Sequence, residues 1–390
     1  MIPYGRQTID DKDIRAVVQV LRSDWLTQGP KVLEFEEALC RYTGARYAVC
    51  VANGTAALHL ACLSAGLKQG DEAITSPLTF LATANAVLYT GARPVFADID
   101  CETGNIDPRA IMKMMNRTTR AIIPVHFGGN PCAMEDIYGL AKKKKITIIE
   151  DACHALGAAY KSGRKWWKIG SCRHSDMTIF SFHPLKAITT AEGGAVLTND
   201  KTLYQLLLKL RSHGVTKEPS DFENRNAHDV GPWYHEMQEL GFNVRITDMQ
   251  CALGVSQLKK ADVFIRKRTR IAQLYRKAWA HGTYFDLPSQ QNNSVSAWHL
   301  FPIRLKGRFV RYRKEVFCRL RDLGLGVQVH YIPVYWQPYY ARLGYTKGSC
   351  PVAEDFYQRE ISLPLYPAMT SADVDRVIEC VNKTGADILK

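Results

Sequence analysis

The chain has 390 residues, long for one hydrophobic core, so two domains are the default expectation. A hydrophobic content of 46% with 23% charged residues belongs to a soluble globular protein and excludes a low-complexity chain. Basic residues outnumber acidic ones, 51 to 38, an excess that suits either a solvated surface or an anionic small molecule such as a nucleotide diphosphate. The longest basic run, Lys142 to Lys145, reads as the polar end of a helix, and no basic stripe is interleaved with stacking aromatics, so nucleic acid is not the expected partner.

In chain order, apolar positions at helical spacing (Ile14, Val17, Val18, Leu21) predict a helix over 9–21, with Asp10, Asp11 and Asp13 at its positive end. A loop through 23–30 and a helix over 32–42 follow. Short apolar runs then alternate with helical stretches. The strands are expected at 47–51, 72–75, 94–97, 121–125 and 146–149, with helices at 56–65, 78–88, 108–115 and 134–141 between them. That alternation predicts an α/β fold with a mostly parallel sheet, right-handed crossovers and ligands beyond the carboxyl ends of the strands. Strands at 177–182 and 195–198 and a helix at 203–211 continue it. Trp166-Trp167 marks a hairpin tip. Residues 216–239 are a polar excursion, and one long helix over 247–276 is expected to link to a smaller α+β domain with strands at 298–303 and 327–330. The division expected is a large domain over 13–255 and a small one over 256–390, joined by segment 1–12.

Eleven cysteines, an odd number with no C-x-x-C pair, argue against a disulfide framework or a zinc site and for a reducing compartment. The N-terminal residues lack the apolar core of a signal peptide, and no apolar run is long enough to span a bilayer. The expectation is a cytoplasmic protein without a membrane partner and without a metal.

The chemistry-bearing residues gather at the predicted strand ends. Ser181-Phe182-His183-Pro184-Leu185-Lys186 puts a lysine in a polar turn between two strands, and Glu150-Asp151-Ala152-Cys153-His154 closes an apolar strand with a carboxylate. Lysine plus strand-end aspartate is the pair that pyridoxal phosphate requires: the amine binds the aldehyde as a Schiff base, and the carboxylate keeps the pyridine nitrogen protonated. The small and hydroxyl residues after Lys186 fit a partly desolvated amine, although a surface-loop lysine is the common alternative. Asn53-Gly54-Thr55-Ala56-Ala57 is a strand-to-helix turn suited to a phosphate, or simply a helix capped at Thr55. Ser181 can add a hydroxyl there or bond backbone. Asp151 has an alternative as the cap of a helix beginning at Ala152. His154 can orient Asp151, touch the phenolic oxygen of the cofactor or be an ordinary polar core residue, and Phe80 can stack on the cofactor ring or belong to the core.

Taken together, Asn53 through Leu58, Thr79-Phe80-Leu81-Ala82-Thr83-Ala84-Asn85, Glu150 through Gly157, Ser181 through Gly194, Arg211-Ser212-His213-Gly214 and Gly241 through Asp248 resemble the DegT/DnrJ sugar aminotransferase family, nearly end to end. The resemblance implies a fold-type-I aminotransferase acting as a homodimer. It implies Lys186 as the Schiff-base lysine, Asp151 as the pyridinium partner, Phe80 as the stacking residue, and Gly54, Thr55, Ala56 and Ser181 around the phosphate. Asn243 would reach the cofactor phosphate of the second subunit. Tyr4, the loop Asp24-Trp25-Leu26-Thr27 and Gln328-Val329-His330-Tyr331 would line the nucleotide-sugar site, shared with Gly54, Ser181 and Asn243. Within the family, Leu26-Thr27-Gln28-Gly29, Phe182 to Gly194 and Gln328 to Tyr335 are most similar to members that aminate C4 of a UDP-linked 2-acetamido-2,6-dideoxy-4-keto hexose of β-L-arabino configuration, in pseudaminic acid biosynthesis, with L-glutamate as donor and pyridoxamine phosphate carrying the amine between half-reactions. The rivals are a 3- or 4-aminotransferase for another nucleotide sugar, a dehydrase of similar fold, against which Lys186 speaks, and a non-catalytic sensor on the same scaffold.

Overall fold

The computed structural model describes residues 1–224, 231–280, 284–290 and 293–389. Its centre is a seven-stranded sheet. The strands are β1 (Tyr47–Val51), β2 (Glu72–Thr75), β3 (Arg93–Phe96), β4 (Thr119–Ile123), β5 (Thr147–Asp151), β8 (Met177–Ser181) and β9 (Gly194–Thr198). A separate hairpin, β6 (Ala159–Ser162) and β7 (Lys165–Lys168), lies between β5 and β8 in the chain. The sheet order is β1-β9-β8-β5-β4-β2-β3. Pairs β3–β2–β4–β5–β8 are parallel, as expected from helical crossovers, while β9 runs antiparallel to both β8 and β1.

The reversal at β9 has a simple cause. No helix separates β8 from β9, so the chain can only turn back on itself, and such a connection gives an antiparallel pair. Its backbone is closed by Phe182 N–H to Gly193 O at 2.9 Å and Thr190 N–H to Phe182 O at 2.9 Å. The threonines after Lys186 lock it further, Thr189 Oγ1 donating to Phe182 O (3.1 Å) and Thr190 Oγ1 to Glu192 O (2.7 Å). The lysine turn is therefore a braced loop.

Both faces of the sheet are covered, with Ile122, Ile148, Phe180 and Leu197 packed on one side and Val49, Ile149, Ile179 and Val196 on the other. This alternation along buried strands is what the near-continuous apolar runs demanded. A second, three-stranded sheet is built from β12 (Phe285–Asp286), β14 (Phe301–Leu305) and β15 (Glu360–Leu363), all antiparallel. Short pieces β10 (Val215–Thr216) with β11 (Glu236–Met237), and β13 (Ser294–Val295) against β6, complete the strands.

Several expectations need correction. The single linker helix over 247–276 is two helices, Asp248–Leu258 and Ala261–Ala278, broken at Lys259-Lys260. Phe264 and Ile265 of the second helix pack with the large-sheet core, and Ile271, Ala272 and Tyr275 with the small-sheet core. Residues 327–330 are not a strand, since a lone bridge from Gln328 to Ser362 holds them. No helix starts at Ala152, and Asp151 is the last residue of β5. Trp166 and Trp167 lie within β7, and the hairpin turns at Gly163-Arg164. The helix after β1 begins at Gly54 with Asn53 as its cap, so Thr55 sits inside it. The excursion 216–239 holds β11 and a 3₁₀ turn, and its residues 225–230 lie outside the described ones. No helix among the described residues is long and apolar enough to cross a membrane.

Candidate active site

A cleft of about 660 Å³ opens at the carboxyl ends of β1, β5 and β8, between the large sheet and the small one. Lys186 is half-buried on the β8–β9 turn, its backbone N–H closed onto His183 O at 2.9 Å. Burial pushes its amine below the usual lysine range, while Cys153 and Asp151 pull the other way. Asp151 is buried and held at both oxygens: Thr83 Oγ1 donates to Oδ2 at 2.6 Å, and the Cys153 N–H to Oδ1 at 3.2 Å. Thr83 is itself braced by Thr79 at 2.7 Å. A carboxylate so fixed presents its remaining lone pairs to the cleft in one orientation.

Opposite the lysine, the helix Gly54–Ser64 aims its N-terminus at the cleft. A Cβ placed on Gly54 would stand 2.9 Å from Ser181 Cβ, so glycine alone lets this turn close onto the serine. The amides of Gly54 and Thr55 and the Ser181 hydroxyl thus line one corner, a cradle for an anion at a helix N-terminus. Ala56 does not join it: its N–H donates to Asn53 Oδ1 at 2.8 Å, and the residue is not on the cleft wall. Phe80 is 61% exposed although aromatic, its ring open to the cleft and 6.5 Å from that of Tyr331.

The far wall comes from distant parts of the chain. Ile2 bridges to Leu325, and the Leu365 N–H donates to Tyr4 O at 3.1 Å, which brings Tyr4 into the cleft. Gln328, Val329, His330 and Tyr331 line it too. Tyr331 Oη meets His154 Nε2 at 3.2 Å, and the Tyr4 ring lies 5.6 Å from that of His330. His154 is buried, and burial, with Lys186 next, holds its imidazole far below the usual range, so it is neutral.

His299 is the wall residue that sequence reasoning missed. It carries no motif and follows Trp298 in an apolar run. It reaches the site because Gly129, at φ +90°, lets its segment lie against the backbone of His154. The His299 N–H donates to Gly128 O at 2.9 Å, and a Cβ on Gly129 would sit 2.8 Å from His154 O. The two imidazoles pack at 4.2 Å, and neither Nδ1 has a hydrogen-bond partner among the described residues. Thr83, Cys153, His183 and Glu192 also line the cleft, and all four lay inside motifs read for other residues.

The remaining expected residues lie elsewhere. Asp24, Trp25, Leu26 and Thr27 are exposed and outside the cleft. Their loop is nevertheless fixed: buried Asp248 accepts the N–H groups of Gly29 (2.8 Å) and Lys31 (2.9 Å), and its own N–H donates to Leu26 O. Asn243 is also exposed, bridged to Ser212. Next to both lies a second cavity of about 530 Å³, whose walls include Gln28, Lys217, Trp233 and Arg245.

A lysine on the turn after β8, a buried aspartate and an anion cradle at the edge of one mostly parallel sheet agree with the relatives of the chain. The model of the DegT/DnrJ/EryC1/StrS aminotransferase family matches residues 7–382. The chain belongs to that family. It is 42% identical, over 96% of its own length and 94% of the other, to the UDP-4-amino-4,6-dideoxy-N-acetyl-beta-L-altrosamine transaminase of Campylobacter jejuni. Among solved structures it resembles Helicobacter pylori PseC, an aminotransferase involved in the biosynthesis of pseudoaminic acid (TM-score 0.90, 36% identity, 99% of each chain). It also resembles Spr1654 of Streptococcus pneumoniae in its PMP form (TM-score 0.91, 29% identity, 100% of each chain). The protein is thus a fold-type-I, pyridoxal-phosphate-dependent aminotransferase. The site suits that cofactor: a glycine cradle too tight for a Cβ, a desolvated amine, a fixed carboxylate and an uncovered phenylalanine ring converge on one cleft.

Proposed function

We propose that this enzyme moves the amino group of L-glutamate to C4 of a UDP-2-acetamido-2,6-dideoxy-4-keto hexose of β-L-arabino configuration. The products would be UDP-4-amino-4,6-dideoxy-N-acetyl-β-L-altrosamine and 2-oxoglutarate, a step of pseudaminic acid biosynthesis. The observation that carries the reading is the 42% identity, nearly end to end, to a transaminase of that name.

In this reading Lys186 would hold the cofactor and would carry the proton removed from the donor α-carbon. Its amine is suited to that by a lowered pKa. Asp151 would hold the ring nitrogen, Phe80 would cover the ring, His154 would meet the phenolic oxygen, and Gly54, Thr55 and Ser181 would hold the phosphate. The cofactor supplies an electron sink for the bond broken at the α-carbon. Tyr4 and Gln328 to Tyr331 receive the sugar, and binding of the remote nucleotide positions the ketone.

We further propose a homodimer with shared sites. Among the described residues the cleft wall has Lys186 and no arginine, and its buried histidines His154, His299 and His330 are neutral. The charge of a nucleotide diphosphate is better met by Lys217 and Arg245 of the second cavity, brought by another copy along with Asn243 and the loop Asp24 to Thr27. Exposed Trp25, Leu26, Trp233 and Leu240 around that region suit a buried interface. The division into residues 13–255 and 256–390, joined by 1–12, is part of the same proposal.

The test is the visible absorbance of the loaded enzyme, first with glutamate and then with a panel of UDP-, dTDP- and GDP-linked 3- and 4-keto sugars. Bleaching by glutamate and recovery with the β-L-arabino UDP-4-keto sugar is the expected outcome. Recovery with a different sugar refutes the assigned acceptor.

A further inference from the structure

One buried hydrogen-bond line runs from the cleft wall into the small sheet. His330 lines the cleft, and its Nδ1 points away from it, 2.8 Å from Ser362 Oγ. Ser362 Oγ in turn lies 2.5 Å from Glu360 Oε1. Glu360 Oε2 accepts the His330 backbone N–H at 2.7 Å. Glu360 and Ser362 alternate on β15, both fully buried, and reciprocal backbone bonds between Gln328 and Ser362 (3.2 and 2.8 Å) clamp the two segments together. His330 Nε2 has no partner among the described residues, which leaves it as the nitrogen free to meet a ligand.

We infer that Glu360, Ser362 and His330 form a proton line that sets which tautomer His330 shows to the cleft and so lets Nε2 serve the carbonyl oxygen of the reacting substrate. Two arrangements satisfy every partner. With Glu360 ionised, Ser362 donates to it and accepts from Nδ1–H, and Nε2 is a bare acceptor. With Glu360 protonated, its O–H donates to Ser362, Ser362 donates to Nδ1, and Nε2–H is a donor. Throughout, the imidazole is neutral.

Transamination needs such a group. The carbonyl oxygen of the acceptor leaves as water, and an oxygen must be returned when the oxo acid departs. In the first case the C–O bond breaks with its electron pair on oxygen, and Nε2–H gives that oxygen a proton. The Ser362 proton then moves to Nδ1 and the Glu360 proton to Ser362. The proton lost by the entering nitrogen goes to the Lys186 amine. When water adds in the other half-reaction, the same line runs backward and Glu360 regains its proton, so one cycle closes without an outside acid. His330 is the catalytic residue here, and Ser362 and Glu360 are positioning residues acting through it.

The electrostatics allow both states near neutrality. Burial raises the Glu360 carboxyl to about 8 against the pull of Ser362, the His330 N–H and Arg313. Burial, with Lys186 next, lowers His330 to about 3. Arg304 lies opposite Glu360 in the β14–β15 register, and Tyr4, Tyr331, His154 and His299 are the other titratable groups beside the line.

This inference rests on the aminotransfer reading, so the test has two readouts. The first is the ring ¹⁵N shifts of His330 in labelled, cofactor-loaded protein between about pH 6 and 10, which distinguish the tautomers. The wild type should pass from Nε2–H to Nδ1–H with a midpoint near 8. Glu360→Gln, whose carbonyl oxygen takes the His330 N–H and leaves its NH2 to donate to Ser362, should remain Nε2–H, and Ser362→Ala should lose the transition. The second is the rate at which glutamate yields free 2-oxoglutarate in a single turnover of the loaded enzyme. Both variants should slow it about 10²-fold at an unchanged half-saturating concentration. A His330 tautomer that ignores pH in the wild type, or titrates alike in Ser362→Ala, overturns the line. A tautomer that moves as expected with an unchanged rate overturns its catalytic use. Absence of bleaching in the wild type refutes the aminotransfer reading instead, while the ¹⁵N titration still reports on the line itself.

Discussion

The two walls of the cleft are built by different rules. The sheet-end wall takes Gly54, Asp151, Ser181 and Lys186 from the ends of three strands, β1, β5 and β8, and the turns that follow them. Each is placed by a strand and its turn, and the sheet order alone brings them together. The opposite wall takes Tyr4, His299 and His330 from the N-terminus, a glycine-docked segment and a coil clamped to β15. Here no strand end aims the side chain. Position depends on packing between the two sheets and not on the strand ends opposite. The comparison teaches that the lysine–aspartate pair and the His330 line are held in place by separable structures.

The largest expected effect breaks the first wall alone. Lys186→Ala should lower turnover by about 10⁴-fold or more, because it removes both the covalent anchor and the proton carrier. The melting temperature of the cofactor-free protein should change little, since among the described residues the lysine side chain forms no hydrogen bond and the turn is held by others. Turnover within an order of magnitude of wild type would refute the assignment. Gly129→Ala breaks the second wall. The new Cβ meets His154 O at 2.8 Å at a φ of +90°, so a loss of about 2–3 kcal/mol in denaturant unfolding is expected. Gly139→Ala is the control, since nothing lies within 4 Å of its Cβ in an exposed helical turn, and it should stabilise by about 1 kcal/mol.

A pH titration of stability sharpens the contrast, because the second wall carries the perturbed pair. Glu360 is raised to about 8, so the native state holds a proton that the unfolded chain releases near the ordinary carboxylate value. Its contribution falls as pH rises toward 8. His330 is lowered to about 3, so its contribution is complete above the ordinary imidazole value and falls as pH drops. The two slopes oppose each other below about pH 6.5, and between about 6.5 and 8 Glu360 acts alone. Wild-type unfolding free energy should therefore decline over that interval by about 2 kcal/mol, and Glu360→Gln should flatten the decline.

What was legible in the sequence follows the same division. The alternation of apolar runs and helices was enough to place Asp151 and Lys186, because a parallel strand delivers its last residue to a fixed edge. Asn53 was visible as part of a turn, but its side chain takes the Ala56 amide, a competition for one N–H that spacing cannot reveal. His299 was invisible because its place depends on the positive φ of Gly129, which lies far from it in sequence. The 247–276 helix was overread for a related reason. Its apolar period runs unbroken through Lys259-Lys260, and the break lets successive helices serve two cores.

A third region, the exposed rim with Asn243 and the loop Asp24 to Thr27, belongs to neither wall of its own chain. If it completes the cleft of a second copy, Asn243→Ala should weaken cofactor retention by about 10-fold, the loss of roughly one charge-assisted hydrogen bond. The decisive form of the experiment mixes that variant with Lys186→Ala and lets the subunits exchange. Each variant alone has no intact site. In a mixed dimer with shared sites, the Asn243→Ala chain keeps its lysine and borrows the asparagine of its partner, so one of the two sites is whole and activity at low cofactor rises on mixing. Were Asn243 to act within its own chain, the lysine and the asparagine would never meet in one site, and mixing would restore nothing. The sign of the change on mixing, independent of how much either variant loses, decides whether this rim serves its own cleft or that of its neighbour.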